Sequence, residues 1–125
     1  MSRFAYDRRS MARVLLIDDD ESSRITLSVL LESDGHTVIE AGSIAEARAR
    51  IDSDGGDTFE LAIVDHELPD GRGTTLVPRF RERCPGARVF VLTGHSPDEV
   101  DSTDADRVLT KGGDVDALLE QVRTR

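Results

Sequence analysis

The residues best suited to chemistry in this chain all stand at the ends of apolar runs. Asp18, Asp19 and Asp20 follow Val14-Leu15-Leu16-Ile17, and Asp65 follows Leu61-Ala62-Ile63-Val64. Thr93 closes Val89-Phe90-Val91-Leu92, and Lys111 stands shortly after a weaker run, Arg107-Val108-Leu109. If these runs are neighbouring strands, Asp18, Asp19 and Asp65 converge. Like charges that close repel, and the pKa of at least one of them rises. A fold keeps such a cluster mainly where a cation neutralises it. Mg2+ takes oxygen ligands, keeps several waters and pairs one or two carboxylates with a substrate phosphate. Asp18 and Asp19 fit the ligand role, with Asp19 as the direct ligand and the backbone carbonyl of Glu67 as a further oxygen. Asp65 is then left as the nucleophile, since a carboxylate attacking phosphorus gives an acyl phosphate. The transferring group needs charge stabilisation and placement. Mg2+ supplies part of this, Lys111 offers a point positive charge, and the Thr93 hydroxyl offers a hydrogen bond.

The elements that must position these residues alternate five times. Val14–Ile17 reads as a strand buried on both faces. Ile25, Leu27, Leu30 and Leu31 lie among polar residues and suit an amphipathic helix ending near Gly35. Thr37–Ile39 is a second strand. Ser43-Ile44-Ala45-Glu46 has the capping-box form and opens a helix whose Ile44, Ala47 and Ile51 share a face. Leu61–Val64 is a third strand, followed by a loop over residues 66–73 and a helix over roughly Thr75 to Arg83. Pro78 is tolerable there only in the first turn. Val89–Leu92 and Arg107–Leu109 are the fourth and fifth strands. A last helix carries Val115, Leu118, Leu119 and Val122. Strands alternating with helices imply a parallel sheet covered on both faces, with right-handed crossovers. Ligands of such sheets sit beyond the carboxyl ends of the strands, where the acids stand.

Composition narrows the function classes. A chain of 125 residues suits one domain. One cysteine, Cys84, excludes an internal disulfide framework and a Cys-rich metal site. No apolar run approaches the ~18 residues of a membrane span, and residues 1–10 lack the apolar core of a signal peptide. We therefore expect a soluble, cytoplasmic protein. Arg3, Arg8 and Arg9 against Asp7 give residues 1–12 a net +2, which leaves −11 on the rest of a chain of formal charge −9. So acidic a body argues against nucleic-acid binding, which needs basic surface. Residues 1–12 are expected to be a flexible basic tail, or an extension ahead of a start at Met11.

With these residues in place the sequence resembles the response-regulator receiver family. The matching features are the acidic pair after Val14-Leu15-Leu16-Ile17, Leu61-Ala62-Ile63-Val64-Asp65 with Leu68-Pro69-Asp70-Gly71, Thr93 in Val91-Leu92-Thr93-Gly94, and Lys111 in Val108-Leu109-Thr110-Lys111. The resemblance covers about Arg13 to Thr124. It implies a flavodoxin-like doubly wound α/β domain over residues 13–125, with a five-stranded parallel sheet in the order 2-1-3-4-5 and helices on both faces. It implies that Asp65 accepts a phosphoryl group from a sensor histidine kinase or phosphotransfer protein. Asp18 and Asp19 would bind Mg2+ together with Asp65 and the Glu67 carbonyl, and Thr93 and Lys111 would stabilise the phosphoryl group. Such a module is a phosphorylated signalling protein rather than an enzyme, and it passes its signal to a downstream protein target.

Three features depart from that pattern. Gly112-Gly113 stand where receivers have proline after the lysine. Val108 stands where many receivers carry a Tyr or Phe that rotates inward on activation. The interval from Thr93 to Lys111 must hold a helix opened by Ser96-Pro97, yet residues 100–106 offer little apolar surface, so this helix should be very short or absent. Of the histidines, His36 and His66 read as structural. His95, with Glu67, borders the expected pocket, where side chains can tune acyl-phosphate lifetime. Two rivals remain open: a pseudo-receiver that binds its partner without phosphorylation, and a small haloacid-dehalogenase-like phosphatase with Asp18 of Asp18-Asp19-Asp20-Glu21-Ser22 as nucleophile. Flavin binding is rejected, because acids replace a phosphate-cradling loop after the first strand. The chain is expected to act as a stand-alone receiver.

Overall fold

The five apolar runs become five parallel strands in a computed structural model that describes residues 12–53, 59–94, 105–112 and 115–123. In chain order the elements are β1 (Arg13–Ile17), α1 (Glu21–Ser33), β2 (Thr37–Ala41), α2 (Ile44–Ser53) and β3 (Leu61–Asp65). A two-residue hairpin follows, β4 (Glu67–Leu68) and β5 (Gly71–Arg72), then a 3-10 turn over Gly73–Leu76 and α3 (Val77–Arg83). β6 (Arg88–Thr93), β7 (Arg107–Thr110) and α4 (Val115–Arg123) are the remaining elements among the described residues. The sheet runs β2-β1-β3-β6-β7. This is the expected order 2-1-3-4-5, because the hairpin strands, outside this sheet, take the numbers four and five.

The double winding can be read from side-chain alternation. Successive strand residues face opposite sides of a sheet. Leu15, Ile17, Ala62, Val64 and Val89 enter one core with Ile44, Ala47 and Ile51 of α2 and Val77 and Phe80 of α3. Val14, Leu16, Leu61, Ile63, Phe90 and Leu92 enter the other with Leu31 of α1 and Leu119 and Val122 of α4. Full burial of a large apolar side chain such as Phe80 or Ile63 stabilises by about 1.5–3 kcal/mol. β1 and β3 thus lie between two cores, and their continuous apolar stretches, Val14–Ile17 and Leu61–Val64, suit strands covered on both faces.

Element ends follow local chemistry. Asp20 is the N-cap of α1, with extended φ −83° and ψ 108°. It accepts the Ser23 hydroxyl at 2.6 Å, and that bond holds its pKa below the ordinary value. At α2 the Ser43 hydroxyl oxygen accepts the Glu46 amide at 3.1 Å, but the Glu46 carboxylate takes the amide of Gly42 rather than that of Ser43. Pro78 sits in the first turn of α3, as required, and the chain enters this helix through the 3-10 turn rather than at Thr75. His36 is buried with Nδ1 accepting the Ala12 amide at 2.9 Å. Burial lowers its pKa. Residues 1–11, residues 54–58, His95, the expected helix start at Ser96-Pro97, and Gly113 lie outside the described residues.

Gly73 is the tightest backbone contact. A Cβ there would stand 2.0 Å from the carbonyl oxygen of Asp65 and 2.6 Å from Cγ1 of Val64. The Gly73 amide donates to the His66 carbonyl at 2.7 Å, which seals the approach. Overpacking of this kind costs about 1–3 kcal/mol or more. Gly73→Ala should therefore lower stability by at least that much in urea unfolding, whereas Gly86→Ala, at a site open to solvent, should change it little.

Candidate functional site

Strand register places the acids. Ile17 of β1 lies opposite Val64 of β3, so Asp18 and Asp65 leave adjacent strands at the same level. Asp65 pairs with Leu92 in β6, and Thr93 pairs with Thr110 at the end of β7. Lys111 follows, its amide donating to the Thr93 carbonyl at 2.6 Å. The five side chains proposed from sequence thus arrive at one end of the sheet from four strands. Asp18, Asp65 and Thr93 are buried, Lys111 is partly buried and Asp19 is exposed.

Carboxylate oxygens of Asp18, Asp19 and Asp65 all lie within 4.8 Å of one another. Lys111 Nζ donates to Asp65 Oδ2 at 2.8 Å and to Asp18 Oδ1 at 3.1 Å. Asp18 Oδ1 also accepts the Asp20 amide at 2.9 Å, and Asp65 Oδ1 accepts the Glu67 amide at 3.3 Å. Burial pushes the Asp65 carboxyl above its ordinary pKa, and Asp18 adds to the rise; Lys111 and the Glu67 amide work against it without cancelling it. Burial acts to lower the Lys111 pKa, but its bonds to Asp65 and Asp18 outweigh that, and it is raised. Lys111 is charged, and the carboxylates outnumber it. An all-oxygen, anionic corner half open to solvent suits a hard divalent cation, which prefers carboxylate, carbonyl and water oxygens.

Not every candidate joins the cluster through its side chain. Glu67 is exposed on β4, and its amide rather than its carboxylate meets Asp65. His66 is buried, with Nδ1 lacking a hydrogen-bond partner among the described residues. Val108 is partly buried in β7 opposite Val91. Gly112 takes a φ of +79° directly after Lys111.

Two supporting residues escaped the sequence reading. Asp70, in the hairpin turn, accepts the amides of Ile44 and Ala45 at 2.9 and 3.0 Å and so caps α2 from a distant segment. Arg24 of α1 reaches the carbonyl of Asp18 at 2.8 Å. Asp70 was visible as part of Leu68-Pro69-Asp70-Gly71, but nothing in that motif names its partner. Arg24 carried no local signal beyond lying one turn into α1.

The comparisons agree with this geometry. Residues 14–123 match the family model of the response regulator receiver domain. The chain is 41% identical over 91 residues to the DNA-binding transcriptional activator DevR/DosR of Mycobacterium tuberculosis, covering 71% of this chain and 41% of that protein. A receiver domain protein (CheY-like) from Methanospirillum hungatei superposes with a TM-score of 0.79 at 29% identity, over 90% of both chains. The Thermotoga maritima response regulator TrrA, solved with Mg2+ and a beryllium fluoride, superposes with a TM-score of 0.77 at 27% identity, over 90% of this chain and 96% of that one. The chain belongs to the response regulator receiver family, a family of signalling modules in two-component systems. The phosphatase alternative, with Asp18 as nucleophile, is set aside. Among the described residues no helix is long and apolar enough to cross a membrane.

Because Lys111 opposes the rise in the Asp65 pKa, removing its charge should let that rise grow. In Lys111→Met the Asp65 carboxyl should titrate at higher pH than in wild type, followed by 13C NMR of the side-chain carboxyl without divalent metal. An unchanged or lower midpoint would contradict the ion-pair geometry.

Proposed function

We propose that this domain accepts a phosphoryl group on Asp65 from a sensor histidine kinase or phosphotransfer protein, in a Mg2+-dependent reaction, and signals to a downstream protein by contact. The observation that carries the reading is the convergence of Asp18, Asp19, Asp65 and Lys111 at one sheet end. Asp18, Asp19 and Asp65 would hold Mg2+, with the Glu67 carbonyl as a further oxygen, and the clustering of the three carboxylates supports this. When bound, the ion supplies charge neutralisation for the phosphoryl oxygens.

The chain's own residues do the rest. The Asp65 carboxylate is held from two sides, by Lys111 Nζ and the Glu67 amide. Its oxygen forms the new bond to phosphorus while the bond from phosphorus to the donor imidazole nitrogen breaks, and the imidazole keeps that electron pair. Lys111 reaches two carboxylates and is placed to follow the negative charge as it spreads onto the phosphoryl oxygens. Thr93, buried at the end of β6, offers its hydroxyl to the same group. This is transfer to the protein itself and not turnover of a substrate, so we assign no enzymatic activity.

A protein partner fits the surroundings. A cleft of about 480 Å³ runs from Asp18 and Lys111 between α1 and α4, lined by Leu27, Leu30, Leu109 and Leu118. Ile25 and Val29, also on α1, are about half exposed. DNA binding by DevR/DosR is not carried over, since the match spans 41% of that protein.

Incubation with acetyl phosphate and Mg2+ should add one phosphoryl mass to the intact chain. Chelation should abolish the addition, as should Asp65→Ala. Labelling that persists in Asp65→Ala would overturn the assignment. Label found on Asp18 would return the discarded phosphatase reading.

A further inference from the structure

Arg24 has no part in the chemistry above, yet it touches the backbone of the pocket. Its side chain is 18% exposed. Nη1 donates to the Asp18 carbonyl at 2.8 Å, and Nε donates to Glu40 Oε1 at 2.9 Å. Glu40 precedes Ala41, whose carbonyl accepts the Asp18 amide at 3.0 Å. Both main-chain polar groups of Asp18 are therefore held, the amide by β2 and the carbonyl by the guanidinium. The peptide joining Asp18 to Asp19 is a rigid plane. Fixing its carbonyl fixes the direction from which Asp19 leaves the strand end. The Asp19 carboxylate is exposed, so its aim depends on that backbone.

The turn after β2 is shaped around the same side chain. A Cβ on Gly42 would lie 3.3 Å from Arg24 Nη1 and 4.0 Å from the Asp18 carbonyl oxygen. Glycine there leaves the guanidinium its room. Arginine suits the place because its planar fork serves two acceptors at once, whereas a lysine is a single point charge on a flexible stem.

We propose that Arg24 is a positioning residue for the acidic pocket, clamping the Asp18–Asp19 peptide to Glu40 so that Asp19 meets a divalent cation from a fixed direction. The inference rests on the Mg2+ reading above. Groups that orient metal ligands from behind typically change metal affinity by 10–100-fold when removed.

The test is calorimetric Mg2+ titration of the metal-free chain as wild type, Arg24→Met, Arg24→Lys and Glu40→Gln, each with a thermal unfolding curve in chelator. Arg24→Met should weaken Mg2+ binding on the order of tenfold, Arg24→Lys by less, and Glu40→Gln by a few-fold, with Arg24→Lys and Glu40→Gln unfolding near the wild-type midpoint. A merely structural arginine would shift unfolding and leave Mg2+ affinity alone; folded variants that bind Mg2+ like wild type overturn the inference. If Arg24→Met does not fold, Arg24→Lys and Glu40→Gln decide by the same criterion. A wild-type chain that binds no Mg2+ removes the metal reading and this inference together, whereas wild-type binding matched by every variant removes this inference alone.

Discussion

Three carboxylates share one corner of this molecule with one lysine, and the arithmetic of that corner shapes what surrounds it. Two unit charges about 4 Å apart interact by roughly 4 kcal/mol at an effective dielectric of about 20. One carboxylate oxygen from each of Asp18, Asp19 and Asp65 lies within 4.8 Å of the others, so the three repel, most strongly between the buried Asp18 and Asp65. Lys111 reaches Asp65 and Asp18 at 2.8 and 3.1 Å, which offsets part of it. The balance stays negative, and burial keeps the Asp65 carboxyl raised. Such a corner stores affinity for added positive charge. It also needs a stiff frame, because repelling groups on loose backbone would move apart.

The frame is supplied by strand register on one side and by close approach on the other. β1 and β3 are hydrogen-bonded neighbours packed between two cores, so Asp18 and Asp65 cannot slide relative to each other without disturbing both. Gly73 lies against the Asp65 carbonyl, and Asp70 ties the hairpin that follows Asp65 to the start of α2. The segment after β3 is thus anchored at its turn and at its return. These anchors are side chain to backbone and backbone to backbone contacts, which hold geometry at little cost in side-chain entropy compared with pairs of long charged residues.

How far this was legible in the sequence depends on the range of the interaction. Strands, helices and the two-sided core could be read because apolar spacing is periodic: Leu61–Val64 is continuous, and Ile44, Ala47 and Ile51 recur at helical spacing. The convergence of the candidate residues was legible because they stand at or just past strand ends, and a parallel sheet brings strand ends together. The 3-10 entry to α3 was not foreseen, because Thr75 and Leu76 fit either helix type. The β4–β5 hairpin has two residues per strand, too few to show alternation. The Asp70 cap joins residues 26 positions apart, and the Glu40 bond of Arg24 spans 16. Neither pairing leaves a periodic trace. The capping box at Ser43 was half right, since the hydroxyl does its part while Glu46 reaches one residue further back.

Loss of an aromatic at Val108 does not leave the end of β7 disconnected from the pocket. Thr93 and Thr110 are register partners, and the Lys111 amide donates to the Thr93 carbonyl at 2.6 Å. The backbone carrying the hydroxyl and the backbone carrying the ammonium are therefore one hydrogen-bonded unit. Among the described residues β7 is the edge strand of the sheet, partly buried and paired on one side with β6. Thr93 and Lys111 are thus joined to that edge through main-chain bonds. The physical link between the pocket and the edge strand in this chain is the sheet ladder itself.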